Sequence, residues 1–106
     1  MIRITHDGDG GFTLWDGAVS CGSARATFGD TMELLTADAP DDALAEGLVR
    51  AALNAGRERG CVWATCRNAA LFLLLDRLAF EQTAEGRAVD IPAFFARGCG
   101  GGARKY

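Results

Sequence analysis

The period of the hydrophobic pattern changes at Pro40, and this constrains the fold more than any single motif. Up to Thr36 apolar residues alternate with polar ones in short runs broken by glycine and aspartate, as in half-buried strands. From Pro40 to Arg59, Leu44, Leu48, Ala51, Ala52 and Ala55 fall on one helical stripe, widened by Val49 and Leu53. Asp38 suits a helix cap, Pro40 a first turn, and Asp41 and Asp42 the positive helix end. Arg57, Arg59 and Gly60 read as the stop.

Ahead of that helix, Ile2 and Ile4 on one run and Phe12, Leu14 and Asp16 on the next flank HDGDGG, which predicts a hairpin with Trp15 facing the other way. AVSCGSARATFGD reads as a second apolar-turn-apolar unit, and TMELLT as a strand after a tight Gly29-Asp30 turn. Beyond the helix, Cys61 to Thr65 reads as a buried middle strand. Asn68 should cap a helix from Ala69 to about Ala79, with Leu71, Leu74, Leu75, Leu78 and Phe72 on its apolar side. Arg87 to Ile91 predicts a last strand, PAFFAR a turn or short helix after Pro92, and 98–106 a flexible glycine-rich tail. The expected fold is therefore one α+β domain over 1–106, a mixed, mostly antiparallel sheet covered by two main helices.

The chain's 106 residues allow one domain, and 49% hydrophobic with 24% charged residues excludes a disordered chain. Ten arginines and Lys105 are scattered, with net charge -3, so no nucleic-acid groove or anionic-membrane surface is expected. The apolar run Ala69 to Leu75 is far below the roughly 20 residues that span a bilayer. No secretory signal pattern opens the sequence, which makes the cytoplasm the expected location and thiols the expected state of Cys21, Cys61, Cys66 and Cys99.

Leu48 to Glu81, LVRAALNAGRERGCVWATCRNAALFLLLDRLAFE, resembles the later half of a GNAT-type N-acyltransferase: a long helix, the strand at Cys61 to Thr65, Asn68, and the Leu78-Ala79-Phe80 ending. The resemblance implies a GNAT-like (acyl-CoA N-acyltransferase-like) fold in which amides at the long helix's start hold the pyrophosphate of acetyl-CoA or another acyl-CoA. It places cofactor contacts at Ala39, Asp41, Asp42 and Asn68. The family's Arg/Gln-x-x-Gly-x-Gly/Ala pattern is replaced by TADAPDDALAEG, where Pro40 lacks an amide and Asp38, Asp41 and Asp42 oppose a polyphosphate. The family's frequent tyrosine acid falls on Leu75, and the chain is short for the pair of early helices that shape an acceptor site.

Among reactive side chains, Cys99 in ARGCGG, beside Arg97 and accessible glycine amides, is a candidate nucleophile, with Cys66 a second. Glu81, just after the second helix, is a candidate general base. His6 beside Asp7 could pair with a cysteine, and three cysteines with His6 have zinc-ligand chemistry, but the spacing is no zinc motif and no metal is expected. HDGDGG lacks the ligand series of a calcium loop. Trp15, Trp63, Phe94 and Phe95 read as packing residues, one phenylalanine being free for a subunit contact.

The functional expectation is a domain that keeps this fold without standard acetyltransferase activity and binds a small ligand or a protein. The alternatives are coenzyme A-dependent acyl transfer to a small amine and, third, a cysteine-based enzyme. A homodimer covering a sheet edge is also expected.

Overall fold

The computed structural model describes residues 1–98. Strands β1 (Ile2–His6), β2 (Gly11–Asp16), β3 (Val19–Thr27) and β4 (Met32–Asp38) precede helix α1 (Asp42–Glu58). Strand β5 (Trp63–Cys66), a 3-10 turn (Ala69–Leu71), α2 (Phe72–Arg77), β6 (Glu81–Gln82), β7 (Arg87–Asp90) and α3 (Ile91–Gly98) follow. One sheet runs in the order β1-β2-β3-β4-β5-β7-β6. Among the described strands only β4 and β5 pair in parallel, joined through α1 as a parallel crossover requires. This is the expected mixed, mostly antiparallel α+β architecture, with β5 inside the sheet.

The β1-β2 turn is stitched by Asp7, whose Oδ1 accepts from the amides of Asp9 (2.8 Å) and Gly11 (3.1 Å). Those two bonds hold its carboxyl below the ordinary range. Gly10 has φ +89, and a Cβ there would stand 2.0 Å from the Ala26 carbonyl oxygen, so the turn needs glycine twice over. No helix intervenes between β1 and β2.

Alternation sends Phe12, Leu14, Ala24, Ala26, Met32, Leu34, Ala64 and Val89 to one face, all buried. The helices share that core through Leu48, Val49, Leu53, Leu75 and Phe94. Full burial of one such aliphatic side chain contributes about 1.5–3 kcal/mol. The register places Arg3, Thr5, Thr13, Trp15, Ser23, Glu33 and Thr65 on the opposite face, where no helix lies among the described residues. An antiparallel sheet tolerates one wet face when that face is polar. Here the Trp15 indole donates to Thr5 Oγ1 (2.9 Å) beneath the Arg3 guanidinium.

Several local expectations change. β3 is continuous through Gly22, which marks an irregularity against β2 and a close approach to the Asp38 carbonyl instead of a turn. The cap of α1 is Asp41, while Asp38 ends β4 and Pro40 precedes the helix. The middle strand starts at Trp63: Gly60 at φ +85 and the Cys61 amide, bonded to the Gly56 carbonyl, still belong to the exit from α1. Trp63 is 44% exposed on the open face and does not pack in the core. Of the two readings of PAFFAR, the short helix holds, with Phe94 buried and Phe95 under Arg57. That helix includes Gly98, and the rest of the expected tail, 99–106, lies outside the described residues. No described helix is long and apolar enough to cross a membrane.

Candidate functional site

The parallel pair is in register only at Met32 with Ala64 and Glu33 with Thr65. Beyond those positions β4 runs on from Leu34 to Asp38, whereas β5 stops at Cys66 and the chain turns into the 3-10 turn. The strands therefore part, and two consecutive side chains bridge the mouth. Arg67 forks onto Glu33 through Nε to Oε2 (2.9 Å) and Nη2 to Oε1 (3.1 Å). Asn68 Nδ2 donates to the Leu35 carbonyl (3.0 Å) while its Oδ1 accepts from the Ala70 amide (3.1 Å). Both ends of the Asn68 amide are thus engaged in holding β4 and the 3-10 turn together.

The start of α1 lies at the end of β4. Asp41 Oδ1 accepts from the Leu44 amide (2.9 Å), so a carboxylate of the chain itself occupies a donor that an anion would use. Asp42 accepts from Arg77 Nη2 (2.9 Å), and Arg77 also approaches Glu46, tying α2 to α1. Ala39 is half-buried beside Gly22 and contributes no charge. Pro40 supplies no N–H. These residues do not fit a pyrophosphate: one amide is missing, one is capped by Asp41, and a second carboxylate, Asp42, stands at the same helix end.

A cavity of about 220 Å³ lies beside β5, between the Glu33-Arg67 pair and the β6-β7 turn, bounded by Glu33, Thr65, Cys66 and Arg67 on one side and Thr83, Glu85, Gly86 and Ala88 on the other. Thr65 Oγ1 is 3.5 Å from the Met32 carbonyl, and Thr83 Oγ1 accepts from the Gly86 amide. Below, Arg87 forks onto Asp76 and lies over the Phe72 ring. The pair lowers the Asp76 carboxyl and raises Arg87, each chiefly through the side-chain hydrogen bond. The cavity thus combines an ion-paired rim with hydroxyls on a stiff floor.

Of the sequence candidates, Asp41 and Asp42 meet at one helix end, and Cys66 and Asn68 adjoin the junction. Glu81 pairs with Ala88, which pairs with Thr65, which pairs with Glu33. It shares the open face with Glu33 but stands on the edge strand, roughly 14 Å away at the usual strand spacing. Cys66 is fully buried, and desolvation raises its thiol pKa, outweighing the Asn68 backbone hydrogen bond; Glu33 pushes the same way. That is the direction opposite to an activated thiolate. Leu75, at the family's acid position, is fully buried core.

His6 stacks on Phe12 (4.3 Å) on β1, four places from β5 in the sheet, which removes it from Cys66. Among the described residues no His, Cys, Asp or Glu group converges as a metal site, and Cys21, Cys61 and Cys66 are free thiols. Cys99 lies outside the described residues. The Glu33-Arg67 and Asp76-Arg87 pairs escaped sequence reasoning because each joins elements whose adjacency only strand register reveals.

No protein-family model and no curated protein matches the chain in sequence. Its fold matches the ribosomal-protein-S18-alanine N-acetyltransferase from Escherichia coli with a TM-score of 0.61 and 18% identity, over 84% of this chain and 70% of that one. It also matches the PaiA N-acetyltransferase from Thermoplasma acidophilum, solved in complex with coenzyme A, with a TM-score of 0.58 and 12% identity, over 74% of this chain and 57% of that one. At such identities the likeness is one of fold: the chain has a mixed α+β architecture resembling the GNAT acetyltransferase fold.

Proposed function

We propose that the chain is a GNAT-like binding domain that takes a small polar ligand at the β4-β5 junction and does not perform standard acetyl transfer. The observation that carries this reading is the Asp41 carboxylate on the Leu44 amide, with Pro40 before it and Asp42 beside it. A helix end in this state repels and cannot fully bond a diphosphate. The apolar Leu75 at the position of the resemblance's acid, and a Cys66 thiol whose pKa burial raises, support the same reading. The cavity beside Thr65 offers the ligand hydroxyls and the outer atoms of the Glu33-Arg67 pair. Binding there needs no chemistry at Glu81, which stands at the sheet's edge.

A second reading, coenzyme A-dependent transfer to a small amine, draws on the parted β4 and β5 and on the fold likeness to a protein solved with coenzyme A. Calorimetric and amide-shift titration with acetyl-CoA to about 1 mM separates the two. The binding-domain reading expects no saturable heat and no shift at residues 41–45. Saturation accompanied by shifts at those amides would overturn the binding-domain reading, and release of free coenzyme A thiol in the presence of a small amine would then establish the second. Titration with small polar metabolites should shift Thr65, Gly86 and Ala88.

A further inference from the structure

We infer that two copies of this chain associate edge to edge through β1, antiparallel about a two-fold axis at Ile4. β1 ends the sheet, and among the described residues no strand lies beyond it. The opposite edge, β6, is only two residues long. The direction of each β1 backbone group follows from two hydrogen bonds that frame the hairpin. The Asp7 amide donates to the Gly11 carbonyl and the Gly17 amide to the Met1 carbonyl, in a register that pairs Ile4 with Leu14. Antiparallel ladders bond every second pair. Arg3 and Thr5 therefore bond inward to β2, while Ile2, Ile4 and His6 turn their N–H and C=O groups to the free edge.

These outward groups are most fully self-complementary in one register. With the axis at Ile4, Ile4 exchanges two bonds with Ile4 of the second copy, and Ile2 pairs with its His6, giving about six hydrogen bonds. The side chains agree with that register. Arg3 falls opposite Thr5 of the second copy, so like charges do not face each other directly. Ile2, 46% exposed, projects on the helix side of the sheet, the side of Ile4 and His6. Opposite His6 of the second copy, it would reach the end of that copy's groove of about 200 Å³ between β1 and α1, lined by Ile4, His6, Phe12, Ala51, Asn54 and Glu58 among others. A one-residue shift would set outward Ile2, Ile4 and His6 against inward-bonded Arg3 and Thr5, and an axis at Arg3 would leave about four bonds and put the two Arg3 side chains opposite each other.

A five-residue edge and a shallow groove make a small interface, so a dissociation constant in the micromolar range is expected. Sedimentation velocity of the full chain from about 1 to about 500 μM should show the mass doubling. Over the same range, amide exchange at Ile2, Ile4 and His6 should slow with concentration, while Arg3 and Thr5 stay protected throughout. Ile2→Pro deletes an outward N–H without removing a bond to β2, as edge strands permit. It should weaken association at least tenfold and leave the monomer's circular dichroism intact, and Ile2→Lys should do the same by charge. A wild type that stays monomeric overturns the proposal. So does a dimer that both Ile2 variants leave unchanged, or one that Trp63→Arg on the open face abolishes.

Discussion

Replacing Asp41 separates its two roles, because the carboxylate both caps α1 and supplies negative charge where an anion would bind. Asp41→Ala removes the bond to the Leu44 amide at a cost of about 1 kcal/mol, within a range of roughly 0.5–2 for N-cap residues. For 106 residues, an unfolding entropy of about 2.1 cal/mol/K per residue gives about 0.22 kcal/mol/K, so 1 kcal/mol lowers Tm by about 4–5 °C. The same change frees a helix-end donor and removes one charge worth about 0.3–1 kcal/mol, so affinity for inorganic pyrophosphate at low salt should rise roughly two- to fivefold. Asp41→Asn is the control: asparagine caps as well as aspartate, so Tm should stay near wild type while anion affinity rises similarly. Differential scanning calorimetry supplies Tm, and the Leu44 amide shift reports pyrophosphate. An Asp41→Ala protein with unchanged Tm would refute the capping geometry; a drop in Tm with no gain of anion affinity in either variant would refute the electrostatic argument.

Gly86→Ala should destabilise the domain by at least about 1–3 kcal/mol, because a Cβ there would sit 2.1 Å from the Cys66 carbonyl oxygen, and chemical denaturation measures the loss. In native protein, iodoacetamide should modify half-exposed Cys21 well before buried Cys66, as peptide mass spectrometry would show, and selective labelling of Cys66 at neutral pH would contradict its burial. The folded Asp76 carboxyl lies below its ordinary value because of Arg87, so the pair's contribution is present above the unfolded carboxyl pKa of about 3.9 and is lost as pH falls through the lower folded value. The stability difference between wild type and Asp76→Asn should therefore be flat from about pH 7 to 5 and shrink in stronger acid, as urea titration at each pH would reveal.

The elements legible in the sequence are those whose signal is local. The HDGDGG turn, the long helix with its Gly60 stop, the Asn68 cap and the Arg87 strand depend on neighbouring residues and came through. The Asp38 and Asp41 caps could not be separated from spacing, because both precede an apolar run and only the observed end of β4 makes Asp38 a strand residue. Gly22 signals a turn or an irregularity equally well, and the approach of the Asp38 carbonyl settles it. The cavity rim was invisible because Glu33 and Arg67 become neighbours only through the Glu33-Thr65 register. Cys66 reads from the sequence as a buried small hydrophobe as well as a candidate nucleophile, and the face of its four-residue strand that meets the helices decides for burial.

The open sheet face connects these details to the shape of the site. A direct turn joins β1 to β2, so this chain lacks early helices between them, and the polar residues at Arg3, Thr13, Ser23, Glu33 and Thr65 let that face remain wet. The junction of β4 and β5 is consequently open on one side, and its narrow dimension is set by the Arg67 and Asn68 bridges. Such a site can select a ligand by hydrogen bonding at its floor but cannot enclose a large one against water. On the proposed reading, this open setting favours a small polar ligand over a long acyl carrier.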